Sequence, residues 1–136
     1  MSKQANIEAQ TVYGTAVNTG DLEKIRGVVA ANSVDHDPGE GQVPGPEGYI
    51  QYFTGLRAAF PDLHVELAHL VTDDDNVAFA YTITGTHQGP LEGIPATGKK
   101  IKVRGMQIGR FENGKLVERW GCSDQLGILK QLGVIP

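Results

Sequence analysis

One carboxylate near the end of the chain has the sequence surroundings of a general acid/base. Asp124 follows a strand-like run in which Trp120 and Cys122 occupy alternate positions, so the three side chains of an extended strand point to one side. If that side faces a pocket, the carboxyl group lies beside an indole and a thiol. Apolar surroundings raise the pKa of a carboxyl group, which suits proton transfer next to a carbonyl. The alternative is a structural role, because Asp124 directly precedes a predicted helix and could cap it.

Two further polar residues are candidates for contact with a substrate oxygen. His36 is flanked by Asp35 and Asp37, which could hold its ring in one tautomer as a hydrogen-bond donor. The alternative for His36 is a surface turn at Asp37-Pro38. Gln107 lies in the middle of a long predicted strand. Facing a pocket, its amide could hold a carbonyl or enolate oxygen, whereas facing a partner subunit it would be an ordinary exposed side chain.

Aromatic side chains are the expected walls of such a site. Tyr49, Tyr52 and Phe53 lie on one side of a predicted helix and could line a pocket opposite the sheet, although core packing is the alternative. Trp120 is expected to pack on the substrate if its side of the strand faces inward. His87 ends a predicted strand and could shape the pocket rim or make a structural hydrogen bond to the loop after it.

Composition and spacing disfavour other classes of site. His64 and His69 are expected on opposite sides of a strand, and no His-x-His, Cys pair or helical His-x-x-x-His is present, so no metal is expected. The net charge is −4 and there is no basic run, which disfavours nucleic-acid binding. No apolar stretch is long enough for a bilayer, and Met1–Glu8 lacks the apolar core of a signal peptide. The single cysteine, Cys122, is expected to be a buried core residue and fits a cytoplasmic location.

The helices that must position these residues come first in the chain. Three are predicted, over Ala5–Asn18, Leu22–Ala31 and Glu47–Phe60. Asp21 is expected to cap the second helix, and Pro46 opens the third in the first turn, where proline is favoured. Between the last two helices, Ser33–Asp37 is predicted to be a short extended piece.

The strands follow, in runs rich in β-branched and aromatic residues. They are predicted over Leu63–Val71, Val77–His87, Lys99–Phe111 and Lys115–Ser123. The alternation of the first run slips near His69, which indicates a bulge, and Asn113-Gly114 is a favoured pair for a hairpin turn. A short helix over Gln125–Leu132 ends at Gly133. The order is α+β: one domain over residues 1–136, with helices covering one face of a strongly curved antiparallel sheet and leaving an apolar pocket.

A series of short motifs occurs in order along nearly the whole chain. They are Asn18-Thr19-Gly20-Asp21-Leu22, Asp35-His36-Asp37-Pro38, Gly45-Pro46-Glu47-Gly48, Arg57-Ala58-Ala59-Phe60-Pro61-Asp62-Leu63, Gly85-Thr86-His87-Gln88-Gly89, Gly93-Ile94-Pro95-Ala96-Thr97-Gly98, Asn113-Gly114-Lys115, and Trp120 with Asp124 ahead of Gln131-Leu132-Gly133. In this combination the chain resembles the SnoaL-like polyketide cyclase (ester cyclase) family of the nuclear-transport-factor-2-like (NTF2-like) superfamily.

The resemblance implies a cone-shaped fold, no metal, no organic cofactor, and a homodimer formed through the outer sheet face. It also implies that Asp124 is the acid/base of an intramolecular aldol closure. The function expected is cofactor-independent cyclisation or isomerisation of a small apolar carbonyl compound, with Gln107 or His36 holding the enolate.

Two alternatives stay open. The same pocket could serve a non-catalytic small-molecule binding module. Epoxide hydrolysis, as in a related branch, would need a carboxylate–arginine–carboxylate relay, for which Asp35, Arg104 and Asp124 are the candidates. Alternation places Arg104 and Arg110 on the outer face, which argues against that relay.

Overall fold

The computed structural model describes residues 2–136, in which helices pack on one face of a five-stranded sheet. The elements are α1 (Ser2–Thr19), a 3-10 helix (Leu22–Gly27), β1 (Val29–Asp35), α2 (Pro46–Ala59), β2 (His64–Thr72), β3 (Asn76–Thr86), β4 (Lys100–Glu112), β5 (Lys115–Ser123) and α3 (Gln125–Gln131). Among the described residues, no helix combines the length and the apolar character that a bilayer crossing requires. The α+β arrangement predicted from the sequence is confirmed.

The sheet is mixed, whereas the sequence predicted only antiparallel pairing. Its strand order is β1-β5-β4-β3-β2, and β1 runs parallel to β5 while the other pairs are antiparallel. The difference arises because the predicted second helix, Leu22–Ala31, ends at Gly27 and its last residues belong to β1. Val28 and Val29 are β-branched and fit a strand better than a helix. Asp21, predicted to cap that helix, makes no side-chain cap bond.

The turn and bulge expected in the antiparallel part are both present. The register of β2 against β3 shifts between Leu67 and His69, which confirms the bulge. Asn113 and Gly114 have φ values of 53° and 73°, as the favoured two-residue hairpin turn requires. These signals are local, which is why the sequence carries them.

A second bulge, in β5, decides which side chains face the helices. Phe111 pairs with Leu116, but Arg110 pairs with Glu118, so Val117 is an extra residue in β5. Because side chains alternate along a strand, one extra residue exchanges the two faces beyond it. From Glu118 onward, the odd-numbered residues of β5 therefore lie on the same side as the odd-numbered residues of β4.

The helices cover the side of the sheet on which every second residue of β4 is buried. Those residues are Ile101, Val103, Gly105, Gln107, Gly109 and Phe111. The alternate residues Met106 and Ile108 are 68% and 46% exposed. We call the helix-covered side the inner face and the other side the outer face. The core lies between the inner face and buried side chains of α1 and α2 such as Tyr13, Val17 and Tyr49.

Candidate functional site

A cavity of about 150 Å³ lies between the helices and the inner face. We call it the inner cavity. Its aromatic walls come from both layers, through Tyr13, Tyr49, Tyr52, Phe53, Phe79 and Tyr81. Its charged groups are Asp35, Asp37 and Arg119, and its side-chain amides are Gln10, Gln42, Gln107 and Gln125. Apolar walls with a few convergent polar groups are typical of a small-molecule site.

Arg119 of β5 is at the centre of the polar groups. Its Nη1 lies 3.0 Å from Asp35 Oδ1, and its Nε donates to Gln107 Oε1 at 2.8 Å. The Arg119 side chain is 16% exposed and that of Asp35 only 8%, so the ion pair is nearly dry. Burial acts to lower the pKa of Arg119, but the charge and hydrogen bond of Asp35, together with Tyr13 and Tyr49, more than offset it, and the pKa lies above its usual value. The inner cavity therefore holds a permanent positive charge.

Asp35 is itself fixed by the loop that follows β1. Its Oδ1 also accepts a hydrogen bond from Asp37 N at 3.0 Å, and its Oδ2 accepts one from Gln42 Nε2 at 3.0 Å. Gln42 is held in turn because its Oε1 accepts from Gly39 N at 2.9 Å. Both carboxylate oxygens of Asp35 are thus engaged by the protein. This makes Asp35 a positioning residue for Arg119.

Four tyrosines surround this charge as neutral hydroxyl groups. Burial raises the pKa of Tyr13, Tyr49, Tyr52 and Tyr81, so none of them ionises near neutral pH. A neutral phenol can donate a hydrogen bond to a ligand oxygen. Together with Arg119, these groups form an environment suited to an oxygen that becomes negative during a reaction.

Some predicted site residues meet in the inner cavity. Tyr49, Tyr52 and Phe53 of α2 line it, and Gln107 of β4 lies on the same side, 8% exposed. Of the two orientations that the sequence left open for Gln107, the structure shows the one toward the pocket. Its amide oxygen accepts from Arg119, so Gln107 orients the guanidinium while its amide nitrogen makes no hydrogen bond among the described residues.

Trp120 and His36 lie on the outer face, so the prediction that their side of the fold faces the pocket is wrong. Trp120 is 37% exposed, and its ring stacks on that of His36 with the ring centroids 4.7 Å apart. His36 Nε2 is 2.8 Å from Glu118 Oε2. The bulge at Val117 turned Trp120 outward. His36 N donates to Arg119 O at 2.8 Å, so the pairing of β1 with β5 continues to His36. Because side chains alternate along a strand and Asp35 faces inward, His36 faces outward.

Asp124 takes the capping position that the sequence offered as its alternative. Its Oδ1 accepts a hydrogen bond from Gly127 N at 2.8 Å at the start of α3. The residue is exposed and is not among those that line the inner cavity, although its neighbours Ser123 and Gln125 are. Asp124 therefore lies beside the cavity and not in its wall.

His87 and Cys122 also lie elsewhere than one of the predictions for each residue placed them. His87 is fully buried, and its Nδ1 accepts a hydrogen bond from Thr97 N at 3.1 Å, so it anchors the β3–β4 loop and is not among the residues that line the inner cavity. This is the structural bond that the sequence allowed. Cys122 is exposed, so its prediction as a buried core residue is wrong, for the same reason as Trp120.

The relay considered for epoxide hydrolysis is not formed. Arg104 pairs with Thr82 and is exposed on the outer face, as alternation predicted. The arginine that does face inward, Arg119, lies between one carboxylate and one amide. Within residues 2–136, no group of three or more His, Cys, Asp or Glu side chains is placed to hold a metal ion.

Sequence reasoning did not single out Arg119. A strand register counted back from Asn113-Gly114 without a bulge would pair Gln107 with Trp120 and put Arg119 on the opposite face. With the extra residue, Gln107 pairs with Gly121 and Arg119 with Gly109, all on the inner face. The sequence does show that Arg119 and Trp120 point to opposite faces, but which of the two faces inward depends on that single bulge.

The chain is similar to known proteins over nearly its whole length. The family model of the SnoaL-like polyketide cyclases matches residues 7–132. DnrD of Streptomyces peucetius, an aklanonic acid methyl ester cyclase, is 27% identical over 139 residues, spanning 98% of this chain and 92% of that protein.

Solved structures show the same fold. TsrD from Streptomyces laurentii superposes with a TM-score of 0.90 at 25% identity, covering 99% of each chain. IdmH from Streptomyces antibioticus has a TM-score of 0.81 and 32% identity, covering 94% of this chain and 98% of that one. The fold, the matched length and the family model agree with the motifs found in the sequence, and the chain belongs to the SnoaL-like polyketide cyclase family.

Proposed function

We propose that this protein catalyses a cofactor-independent aldol ring closure of a small carbonyl ester in the inner cavity. The observation that carries the proposal is the buried guanidinium of Arg119, fixed by Asp35 and Gln107 among neutral tyrosines. A fixed positive group in a dry site stabilises an enolate oxygen far better than water-exposed groups do, because no reorganisation is needed during the reaction.

The proposed reaction is a proton transfer followed by one C–C bond. A carboxylate takes the proton from the carbon next to a substrate carbonyl and leaves an enolate, whose oxygen lies at Arg119. The enolate carbon attacks a second carbonyl of the same molecule, whose oxygen becomes an alkoxide. The carboxylic acid then returns the proton to this alkoxide. The product is an isomer of the substrate, and no co-reactant is consumed.

We assign the proton transfer to Asp124. The family resemblance assigns the acid/base role to its position, between Trp120 and the Gln131-Leu132-Gly133 motif. Its Oδ1 accepts from Gly127 N, while its Oδ2 accepts no hydrogen bond from the residues that the structure describes. Asp37 is the competing carboxylate, because it lines the inner cavity and only its Oδ2 is engaged, by Gly121 N at 2.8 Å.

The substrate class follows from the cavity and from the relatives. Aromatic walls favour a flat, apolar body, and the charge at Arg119 favours an oxygen that gains negative charge. The relative DnrD is a cyclase of aklanonic acid methyl ester, and we take this ester as the first compound to test. The single cysteine fits a reducing cytoplasm, where we place the reaction.

The outer face is the proposed surface of a homodimer. Exposed apolar side chains form two adjacent rows across the sheet, with Ile108 paired to Trp120 and Met106 paired to Cys122. Met106 is 68% exposed and Ile108 46% exposed. A contiguous apolar surface of this kind marks an interaction site on a soluble protein.

Ring closure of the ester tests the proposed reaction. Replacing Arg119 by methionine is expected to lower kcat/KM by about 100-fold or more, since removal of one oxyanion donor costs about that much. Arg104→Met is the matched control, because Arg104 lies on the outer face, and it is expected to retain the wild-type rate. Asp124→Asn is expected to lose at least about 100-fold, and Asp37→Asn to lose little.

Three outcomes would contradict parts of the proposal. Tight binding of the ester by the wild type without conversion would identify a binding module. A large loss in Asp37→Asn with normal turnover in Asp124→Asn would move the proton transfer to Asp37. Normal turnover in Arg119→Met would remove Arg119 from the mechanism. Gln107→Leu, which removes the partner of Arg119 Nε and keeps the charge, is expected to lose part of the rate, and an unchanged rate would show that this hydrogen bond does not position the guanidinium for the reaction.

A further inference from the structure

A second cavity adjoins the inner cavity under the loop between β3 and β4. It has a volume of about 270 Å³ and lies between α2, α3 and the loop residues Pro90, Leu91 and Glu92. We call it the loop cavity. Tyr52, Leu56, Ile83, Ser123 and Gln125 line both cavities, so the two share a common wall.

The two cavities differ in the number of charged residues that line them. The inner cavity contains Asp35, Asp37 and Arg119. Glu92 is the one charged residue among the described residues that line the loop cavity. Its other walls are mainly aliphatic and aromatic, from Phe60, Leu63, Leu91, Ile101, Ile128 and Leu129. Both cavities have mainly apolar walls, but the inner cavity has three charged residues and the loop cavity one, so the pair fits a molecule with a charged or polar end and an apolar end.

We propose that the loop cavity is a subsite for the apolar part of the same substrate whose carbonyl end lies at Arg119. The inference rests on the proposed function for the position of the carbonyl end. An apolar cavity of about 150 Å³ holds a benzene molecule. By that scale the inner cavity takes one ring-sized group, and the loop cavity, at about 270 Å³, takes an apolar part of roughly two rings or a medium-length alkyl chain.

Three side chains of α2 and β3 belong to the wall that the two cavities share. Tyr52 is 40% exposed and packs edge-to-face on Phe53, with ring centroids 5.1 Å apart. Leu56 lies one turn further along α2, and Ile83 faces both from β3. A ligand that occupied both cavities would contact this shared wall. The substrate class is therefore an elongated, amphiphilic carbonyl compound and not a compact one.

A homologous series of linear methyl 3-oxo esters, from six to twelve carbons in the acyl chain, tests the subsite. Dissociation constants are measured by calorimetry with the wild type. Each buried CH₂ contributes about 0.8 kcal/mol, so binding should tighten about fourfold per added CH₂ until the loop cavity is full. Leu129→Trp, which fills the loop cavity, should abolish this gain for the longer esters. Leu126→Trp is the matched control, because Leu126 lies on the same helix, is 56% exposed and lines neither cavity.

Arg119→Met separates this inference from the proposed function. It should weaken every ester by a similar factor and leave the dependence on chain length unchanged. Wild-type affinity that does not rise with chain length would overturn the loop-cavity subsite while leaving any effect of Arg119 in place. The converse, a normal rise with no effect of Arg119→Met on any ester, would overturn the proposed position of the carbonyl end. Ile128→Trp gives a second filled variant, and an unchanged rise in both filled variants would also overturn the subsite.

Discussion

The Arg119 guanidinium is paired with one carboxylate, and we expect the two side chains to be coupled in stability. Burying a guanidinium costs free energy unless a partner and hydrogen bonds compensate for the lost water. Asp35 supplies the negative charge, and Gln107 satisfies a second N–H of the guanidinium. The polar groups of the inner cavity are therefore a unit, in which the loss of one member leaves another unpaired.

Asp35→Asn should lower the free energy of unfolding by about 3 kcal/mol, because it leaves Arg119 buried without its counter-charge. Replacement of both residues, as in Asp35→Leu with Arg119→Met, should cost less than the sum of the two single replacements. Urea denaturation followed by circular dichroism measures both effects. Strictly additive losses would show that the pair is not coupled and that the site is more hydrated than its burial indicates.

At the level of elements, the sequence predicts what is decided locally. Asn113-Gly114 predicts the hairpin because both residues must adopt positive φ, and Pro46 predicts the start of α2 for an equally local reason. The predicted end of the second helix was wrong because Val29 pairs with Leu116, a residue far away in the chain. The local secondary-structure propensity of Val29 and its neighbours carries no information about a distant strand partner.

The bulge at Val117 explains most of what the sequence could not predict about the site. One extra residue sends Arg119 to the inner face and Trp120 and Cys122 to the outer face. The residue pattern of β5 does not show which of its two faces lies inward, because each face carries both polar and apolar side chains. For Gln107 and the α2 aromatics the sequence offered a place in the pocket as one of two alternatives, and neither depends on that register.

For the whole molecule, the fold separates two surfaces of different chemistry. The inner face holds the two cavities, and the outer face presents an apolar band that includes Met106, Ile108 and Trp120. Because β4 and β5 contribute to both faces, contacts made by a partner subunit on one side would rigidify the strands that carry Gln107 and Arg119 on the other.

Met106→Lys should convert the proposed dimer to a monomer, since it places a charge in the centre of the apolar band. Light scattering coupled to size-exclusion chromatography should give twice the chain mass for the wild type and the single-chain mass for the variant. Val12→Lys is the control, because Val12 is 39% exposed on α1 and lies outside the band. A monomeric wild type, or a Met106→Lys variant that stays dimeric, would contradict the assignment of this face.

The most direct test of the central claim is hydrogen–deuterium exchange at the carbon next to the substrate carbonyl, followed by NMR in D₂O. An ester analogue that lacks the second carbonyl cannot close a ring, so exchange reports proton transfer and enolate stabilisation alone. The wild type and Arg104→Met are expected to accelerate exchange well above the uncatalysed rate, and Arg119→Met to lose about 100-fold of it. Equal exchange in Arg119→Met and the wild type would contradict the account, as would a wild type that binds the analogue and leaves exchange at the uncatalysed rate.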